Sequence, residues 1–214
     1  MLQGLFDAIA DFHREYPTQP KMQQAIVDAL RGRSSDVAAA TAQPDPKPVV
    51  RHLADVVNDA GQPETRRVVD EFLAVADRLP WVQTAGYLDV LPEDYLDNYG
   101  YVRLLGPGAI VPHDEVTVGI GLWGPHLFYP MHEHPAEELY HVLAGRPTFI
   151  HGDVEVDGVA GDTVHHLPWQ PHAQRFGNQP TVLLYSWTGD VVPDAELIDH
   201  ATQRRVASPP DRSP

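Results

Sequence analysis

The chain has 214 residues, 43% of them hydrophobic, with 15 basic and 30 acidic side chains and a formal charge of −15. That acidity repels phosphate backbones and anionic lipid, so nucleic acid and membrane are excluded as partners; no apolar run approaches the roughly 18 residues of a membrane span, and "MLQGLFDAIADFHREYPT" lacks the basic start and unbroken apolar stretch of an export signal. With no cysteine, disulfides and thiolate ligands are excluded, any metal must be held by nitrogen and oxygen, and the chain reads as cytoplasmic.

Residues 1–85 are expected to form a helical N-terminal extension. Leu2, Leu5, Phe6, Ile9, Phe12 and Tyr16 follow the spacing of an amphipathic helix, which Pro17 to Pro20 stops. A second helix is expected over Met22 to Leu30, ended by Gly32, and residues 34–48 read as a linker with three prolines near its end. "VVRHLADVVNDAG" resumes the helical pattern and closes on Gly61. Pro63 and Glu64 suit the first turn of another helix, whose apolar side is Val68, Phe72, Val75, Ala76 and Leu79.

After Trp81 the texture changes to short alternating runs broken by Gly, Pro and Asp, so residues 86–195 are expected to form a β domain. "VTVGIGL" puts Val116, Val118, Ile120 and Leu122 on one face, and "ELYHVL", "TFI", "DVEV" and "TVLLYSW" are further strands. Many short strands after a block of helices predict an antiparallel barrel or double-sheet roll. The tail, 196–214, is expected to be mobile.

Of the 12 histidines, His126, His132, His134, His141, His151, His165, His166 and His172 cluster in one part of this β region. In "YPMHEHPAEELYHVLAG", His132 and His134 are two apart, so on an extended chain both point the same way, as do Glu138 and Tyr140. A bend at Pro135 and Ala136 would turn all four to one cavity. Two imidazoles and a carboxylate need a further histidine, and "LPWQPHAQRFGN" offers His172, with His165 and His166 as alternatives.

The spacing H-x-H-x3-E-x6-G is met by His132, His134, Glu138 and Gly145. It resembles the first motif of the cupins, small double-stranded β-helix (jelly-roll) barrels that hold a divalent metal. Gly161, Pro168, His172 and Asn178 are a loose version of the second motif, one residue short between Pro168 and His172 and lacking the inner glycine. The fuller pattern, Tyr129-Pro130 ahead of the histidines, Tyr140 two beyond Glu138 and a histidine some 30 residues later, is similar to the cupin-type dimethylsulfoniopropionate (DMSP) lyases called DddQ. That resemblance implies a mainly β cupin barrel with an α-helical extension, and β-elimination of DMSP to dimethyl sulfide and acrylate. It implies His134, Glu138 and His172 as ligands, His132 as a ligand or close neighbour, Tyr140 as the base, and Tyr129 as a group that holds substrate or assists proton removal.

A nitrogen and oxygen donor set suits one divalent ion of Zn, Fe, Mn, Co or Ni. A cation nearby lowers a phenol from its usual value of about 10 and makes Tyr140 a competent general base. The small zwitterionic substrate also needs aromatic faces for its sulfonium, worth about 0.5–2 kcal/mol each. Trp187, Trp169, Trp123, Tyr185 and Phe128 are the candidates, with Trp169 taken first because it shares a turn with His172. Pairing into a homodimer through sheet edges is a family expectation. Two other readings remain open: a cupin dioxygenase using Fe(II) and O2, and a non-catalytic metal- or ligand-binding cupin. A sugar-phosphate isomerase is disfavoured, because the motif region supplies only Arg146 and Arg175 as bases.

Overall fold

The computed structural model describes residues 2–33, 37, 43–56, 63–199 and 204–205. Three layers stack upon one another: helices, a first sheet and a second sheet. Helix α1 (Leu2–Glu15) buries Leu5, Phe6, Ile9 and Phe12, each side chain contributing about 1.5–3 kcal/mol when removed from water. Helix α2 runs Pro20–Gly32, slightly longer than expected at both ends. Pro20 opens this helix rather than ending the one before it, since its missing N–H costs nothing in the first turn. The Gln23 amide oxygen accepts from the backbone N–H groups of Thr18 (2.6 Å) and Gln19 (2.7 Å) and so closes the start of the helix.

The stretch expected to be helical from Val49 is a 3₁₀ helix, Pro48–Asp55; its expected stop at Gly61 and most of the linker lie outside the described residues. Helix α3 (Pro63–Leu73) begins on Pro63 as expected but ends early, and a short 3₁₀ helix at Ala76–Arg78, flanked by Val75 and Leu79, continues the apolar side. Val68, Phe72, Val75, Ala76 and Leu79 are all buried. Helical structure continues past residue 85, in a 3₁₀ turn at Ala85–Tyr87 and in α4 (Glu93–Leu96).

Among the described residues twelve strands follow. The first sheet has the order β2-β1-β3-β10-β5-β8, built from β1 (Tyr99–Gly106), β2 (Val111–Pro112), β3 (Val116–Trp123), β5 (Ala136–Ala144), β8 (Thr163–His166) and β10 (Thr181–Gly189). The second has the order β12-β11-β4-β9-β6-β7, from β4 (Phe128–Glu133), β6 (Pro147–His151), β7 (Val154–Asp157), β9 (His172–Phe176), β11 (Glu196–Asp199) and β12 (Arg204–Arg205). Two facing, mostly antiparallel sheets behind N-terminal helices make the jelly-roll architecture with a helical extension. The tail is not wholly loose: β11 pairs with β4, Leu197 opposite His132, so residues 196–199 belong to the second sheet.

Both faces of the first sheet are buried, and strand alternation sorts its residues between two cores. Val118, Ile120, Leu122, Leu139, Leu143 and Leu184 pack against the helices. Tyr99, Tyr101, Trp123, Tyr140, Leu183 and Tyr185 point the other way, between the sheets. Gly145, the last residue of the first motif, turns the chain out of β5 at φ +86°, and a Cβ there would fall 2.7 Å from the Pro180 carbonyl oxygen. Both the left-handed backbone and the lack of space call for glycine.

Candidate active site

His132 and His172 are cross-strand partners on β4 and β9 of the second sheet, with ring centroids 4.1 Å apart. His134 sits in the bend between β4 and β5, and Glu138 faces it from β5 of the first sheet. His134 Nε2 lies 3.1 Å from Glu138 Oε2, and His172 Nε2 lies 3.4 Å from the same oxygen. Among the described residues, His134, Glu138 and His172 form the one group whose donor atoms all lie within 4.8 Å of one another. The ring of His132 is 6.5 Å from that of His134, so it stands beside this trio rather than inside it. All four side chains are buried.

The tautomers follow from the backbone. His132 Nδ1–H donates to the Pro130 carbonyl (2.8 Å), His134 Nδ1–H to that of Ala136 (3.0 Å), and His172 Nδ1–H to that of Gln170 (2.8 Å). A carbonyl can only accept, so each ring, when neutral, keeps its proton on Nδ1 and presents a lone pair on Nε2. Burial raises Glu138, but the imidazoles around it, His134 foremost, bring it well below the usual carboxylate range and leave it ionised. Burial, followed by the neighbouring His172, holds His132 well below its ordinary value. Protonated, His134 Nε2 donates to Glu138 Oε2; as a lone pair it would repel that oxygen unless a cation lay between them, and His172 Nε2 is buried without a hydrogen-bond partner. The residues therefore fit a divalent metal, with His134, Glu138 and His172 to hold it and His132 alongside.

Glu138 is flanked within its own sheet. Trp187 on β10 and His166 on β8 are its direct cross-strand partners. Trp187 Nε1–H donates to Glu138 Oε1 at 2.6 Å, and its ring stacks on His134 at 4.4 Å. His166 Nδ1–H reaches Glu138 Oε2 at 3.1 Å. His166 thus enters the site behind the carboxylate, whereas spacing offered it only as an alternative ligand.

A cavity of about 40 Å³ opens beside Glu138, walled by Trp123, Tyr129, Tyr140, Tyr185 and Trp187, with Arg103 at its edge. Burial, reinforced by Glu138, pushes Tyr140 well above the ordinary phenol value. Tyr129 is also raised, by burial and then by Tyr87; it stacks on His132 at 4.0 Å, and its hydroxyl shares a 3.1 Å hydrogen bond with that of Tyr87. The Tyr185 hydroxyl and Thr117 Oγ1 are buried without partners and line the same space. Arg103 bonds the Tyr101 hydroxyl at 3.2 Å and pairs with Asp194.

Two expected aromatic contacts lie elsewhere. Trp169 is 43% exposed and Phe128 49%, and neither lines the cavity. The turn carrying Trp169 has a left-handed backbone there, φ +59°, and its N–H donates to the His134 carbonyl at 2.7 Å. Nearness to His172 in sequence therefore placed the backbone of Trp169 by the site without turning its ring inward. Arg103, Tyr99 and Tyr101 were missed, although "YGYVR" carries their signal: alternate residues of one strand share a face. Tyr87 and Tyr95 reach the inter-sheet core from the helical segment after residue 85, where no strand periodicity could mark them.

A family model described as dimethylsulfoniopropionate lyase matches residues 21–183. The dimethylsulfoniopropionate lyase DddQ of Ruegeria pomeroyi is 30% identical over 186 residues, covering 81% of this chain and 92% of that protein. The crystal structure of DMSP lyase DddQ from Ruegeria pomeroyi DSS-3 superposes with a TM-score of 0.67 at 27% identity, covering 84% of this chain and 97% of that one. A chain from the crystal structures of the DMSP lyases RdDddP and RnDddQII reaches a TM-score of 0.75 at 26% identity, covering 92% of this chain and 97% of that one.

Proposed function

The chain belongs to the dimethylsulfoniopropionate lyase family, whose members are carbon–sulfur lyases, and on that premise we propose that it splits DMSP into dimethyl sulfide and acrylate by a metal-dependent β-elimination with Tyr140 as general base. The observation that carries this reading is the juxtaposition of a buried three-residue ligand group with a phenol two residues along the same inward strand face. His134, Glu138 and His172 would hold a divalent ion, which when bound would supply positive charge to polarise a carboxylate and offset the burial of Tyr140.

The remaining work falls to side chains. Tyr140, as phenolate, removes the proton from the substrate's α-carbon. The electron pair of that C–H bond forms the Cα–Cβ double bond as the Cβ–S bond breaks, and its electrons leave on sulfur as neutral dimethyl sulfide. The proton stays on Tyr140 until it passes to solvent, so no acid is needed on the leaving-group side. The ring faces of Trp123, Tyr129 and Tyr185 offer a lining for the sulfonium. The unpaired Tyr185 hydroxyl and Thr117 Oγ1 are available for polar contact in the same space.

Headspace gas chromatography of purified protein with DMSP and each of Fe, Mn, Co, Ni and Zn tests the reaction. No dimethyl sulfide with any of them rejects the lyase. Tyr140→Phe should keep fold and metal yet lose turnover by about 10²–10⁴-fold, the usual worth of a general base. A near-normal rate in that variant would move the role to Tyr129 or to another base.

A further inference from the structure

A hydrogen-bond chain runs from the exposed turn at Leu167 to the buried carboxylate of Glu138, and each link fixes the next. The backbone N–H of Leu167 can only donate, and Gln170 Oε1 accepts it at 2.8 Å. Gln170 therefore presents its amide N–H to His151 Nδ1, at 3.3 Å. With Nδ1 accepting, neutral His151 carries its proton on Nε2 and donates it to His166 Nε2 at 3.0 Å. His166 must then carry its own proton on Nδ1, which faces Glu138 Oε2 at 3.1 Å. No link has two donors or two acceptors.

We propose that His166, locked in this tautomer by His151 and Gln170, is a positioning residue that aims Glu138 at the metal. The proposal rests on the metal-centred reading above. Register supports it: Trp187, Glu138 and His166 lie side by side on β10, β5 and β8, so the carboxylate is held from both neighbouring strands. Trp187 fixes Oε1 and His166 fixes Oε2. The ring of His166 also stacks on that of His172 at 3.8 Å, so the same side chain braces two members of the ligand group. Without the lock, His166 could turn its lone pair towards Glu138 and repel it.

Cobalt(II) is the probe, with affinity measured by chelator competition and coordination by the visible spectrum, both without substrate. His166→Leu should weaken binding about 10–100-fold, as loss of a hydrogen-bond partner behind a ligand does, and should shift the spectrum. His166→Asn should restore most of the affinity, because its amide N–H can stand near where Nδ1–H stood. His151→Leu should cause a smaller loss in the same direction. A folded His166→Leu with wild-type affinity and spectrum overturns the proposal and leaves the metal centre standing. If His166→Leu does not fold, His151→Leu decides, and wild-type affinity there overturns the lock. Two cobalt ions per chain, the second lost in His151→Leu, would mean that the two imidazoles share an ion rather than a proton, and would also overturn it. Wild-type protein that takes up no cobalt removes the metal reading and the proposal together.

Discussion

Acidification should loosen the helical layer, and His13 on α1 is the group to follow. Its ring is buried against the outer face of the first sheet, with Nε2 3.2 Å from Ser186 Oγ on β10 and Nδ1 3.4 Å from the Gln23 amide on α2. His141 on β5 faces it at 4.8 Å, and Phe12 packs against both rings. Burial lowers His13 from 6.5 to about 3, and burial followed by His13 lowers His141 well below its ordinary value. Both are therefore neutral in the folded chain and take up protons near 6.5 once unfolded. The stability they leave intact is fully present above pH 6.5 and falls as pH drops towards 3, because the unfolded state then binds protons that the folded state refuses. His13 alone gives a slope of about 1.4 kcal/mol per pH unit, or about 4–5 kcal/mol across the window. That is comparable with the whole stability of an ordinary domain. Urea unfolding from pH 7 to pH 4.5 should show this slope, steepened by His141. His13→Phe keeps the ring but leaves Ser186 Oγ unpaired, so it should lower stability by about 1–3 kcal/mol at neutral pH and flatten the slope below pH 6.5. An identical slope in wild type and His13→Phe would refute the reasoning.

Three further outcomes test the site. A strong chelator should abolish dimethyl sulfide production and one equivalent of divalent metal should restore it, with elemental analysis giving one ion per chain. Trp187→Phe keeps the ring stacked on His134 but removes the N–H to Glu138; a hydrogen bond to a charged group is worth about 1.5–3 kcal/mol, so metal affinity should fall at least tenfold in a chelator titration. Trp169→Asn, which tolerates the left-handed backbone at that position, should leave KM within about twofold, since that ring lies outside the cavity.

How much of this could be read from sequence depended on distance along the chain. His132, His134 and Glu138 lie within seven residues, on β4, β5 and the bend that carries the chain from one sheet to the other, so alternation and a bend at Pro135 were enough to bring them together. The alternation in "VTVGIGL" marked a buried face correctly, but that face meets the helices, whereas Thr117 and, just past the run, Trp123 line the cavity on the other face. Local spacing cannot say which of two buried faces holds the site. The row of Trp187, Glu138 and His166 was invisible for a related reason. These residues are 49 and 28 positions from Glu138, and only strand register makes them neighbours. Trp169 failed in the opposite way, being close in sequence but turned outward by its backbone.

The pairing of β11 with β4 has a practical side. Leu197 lies opposite His132 and Glu196 opposite Glu133, so a short carboxy-terminal ribbon seals the edge of the strand that carries His132 beside the candidate site. Trimming by a protease before Glu196 would strip that seal and leave raw N–H and C=O groups along β4, inviting another chain to zip onto it. Damage at what looks like a dispensable end would then be felt as slack in His132, next to the candidate site.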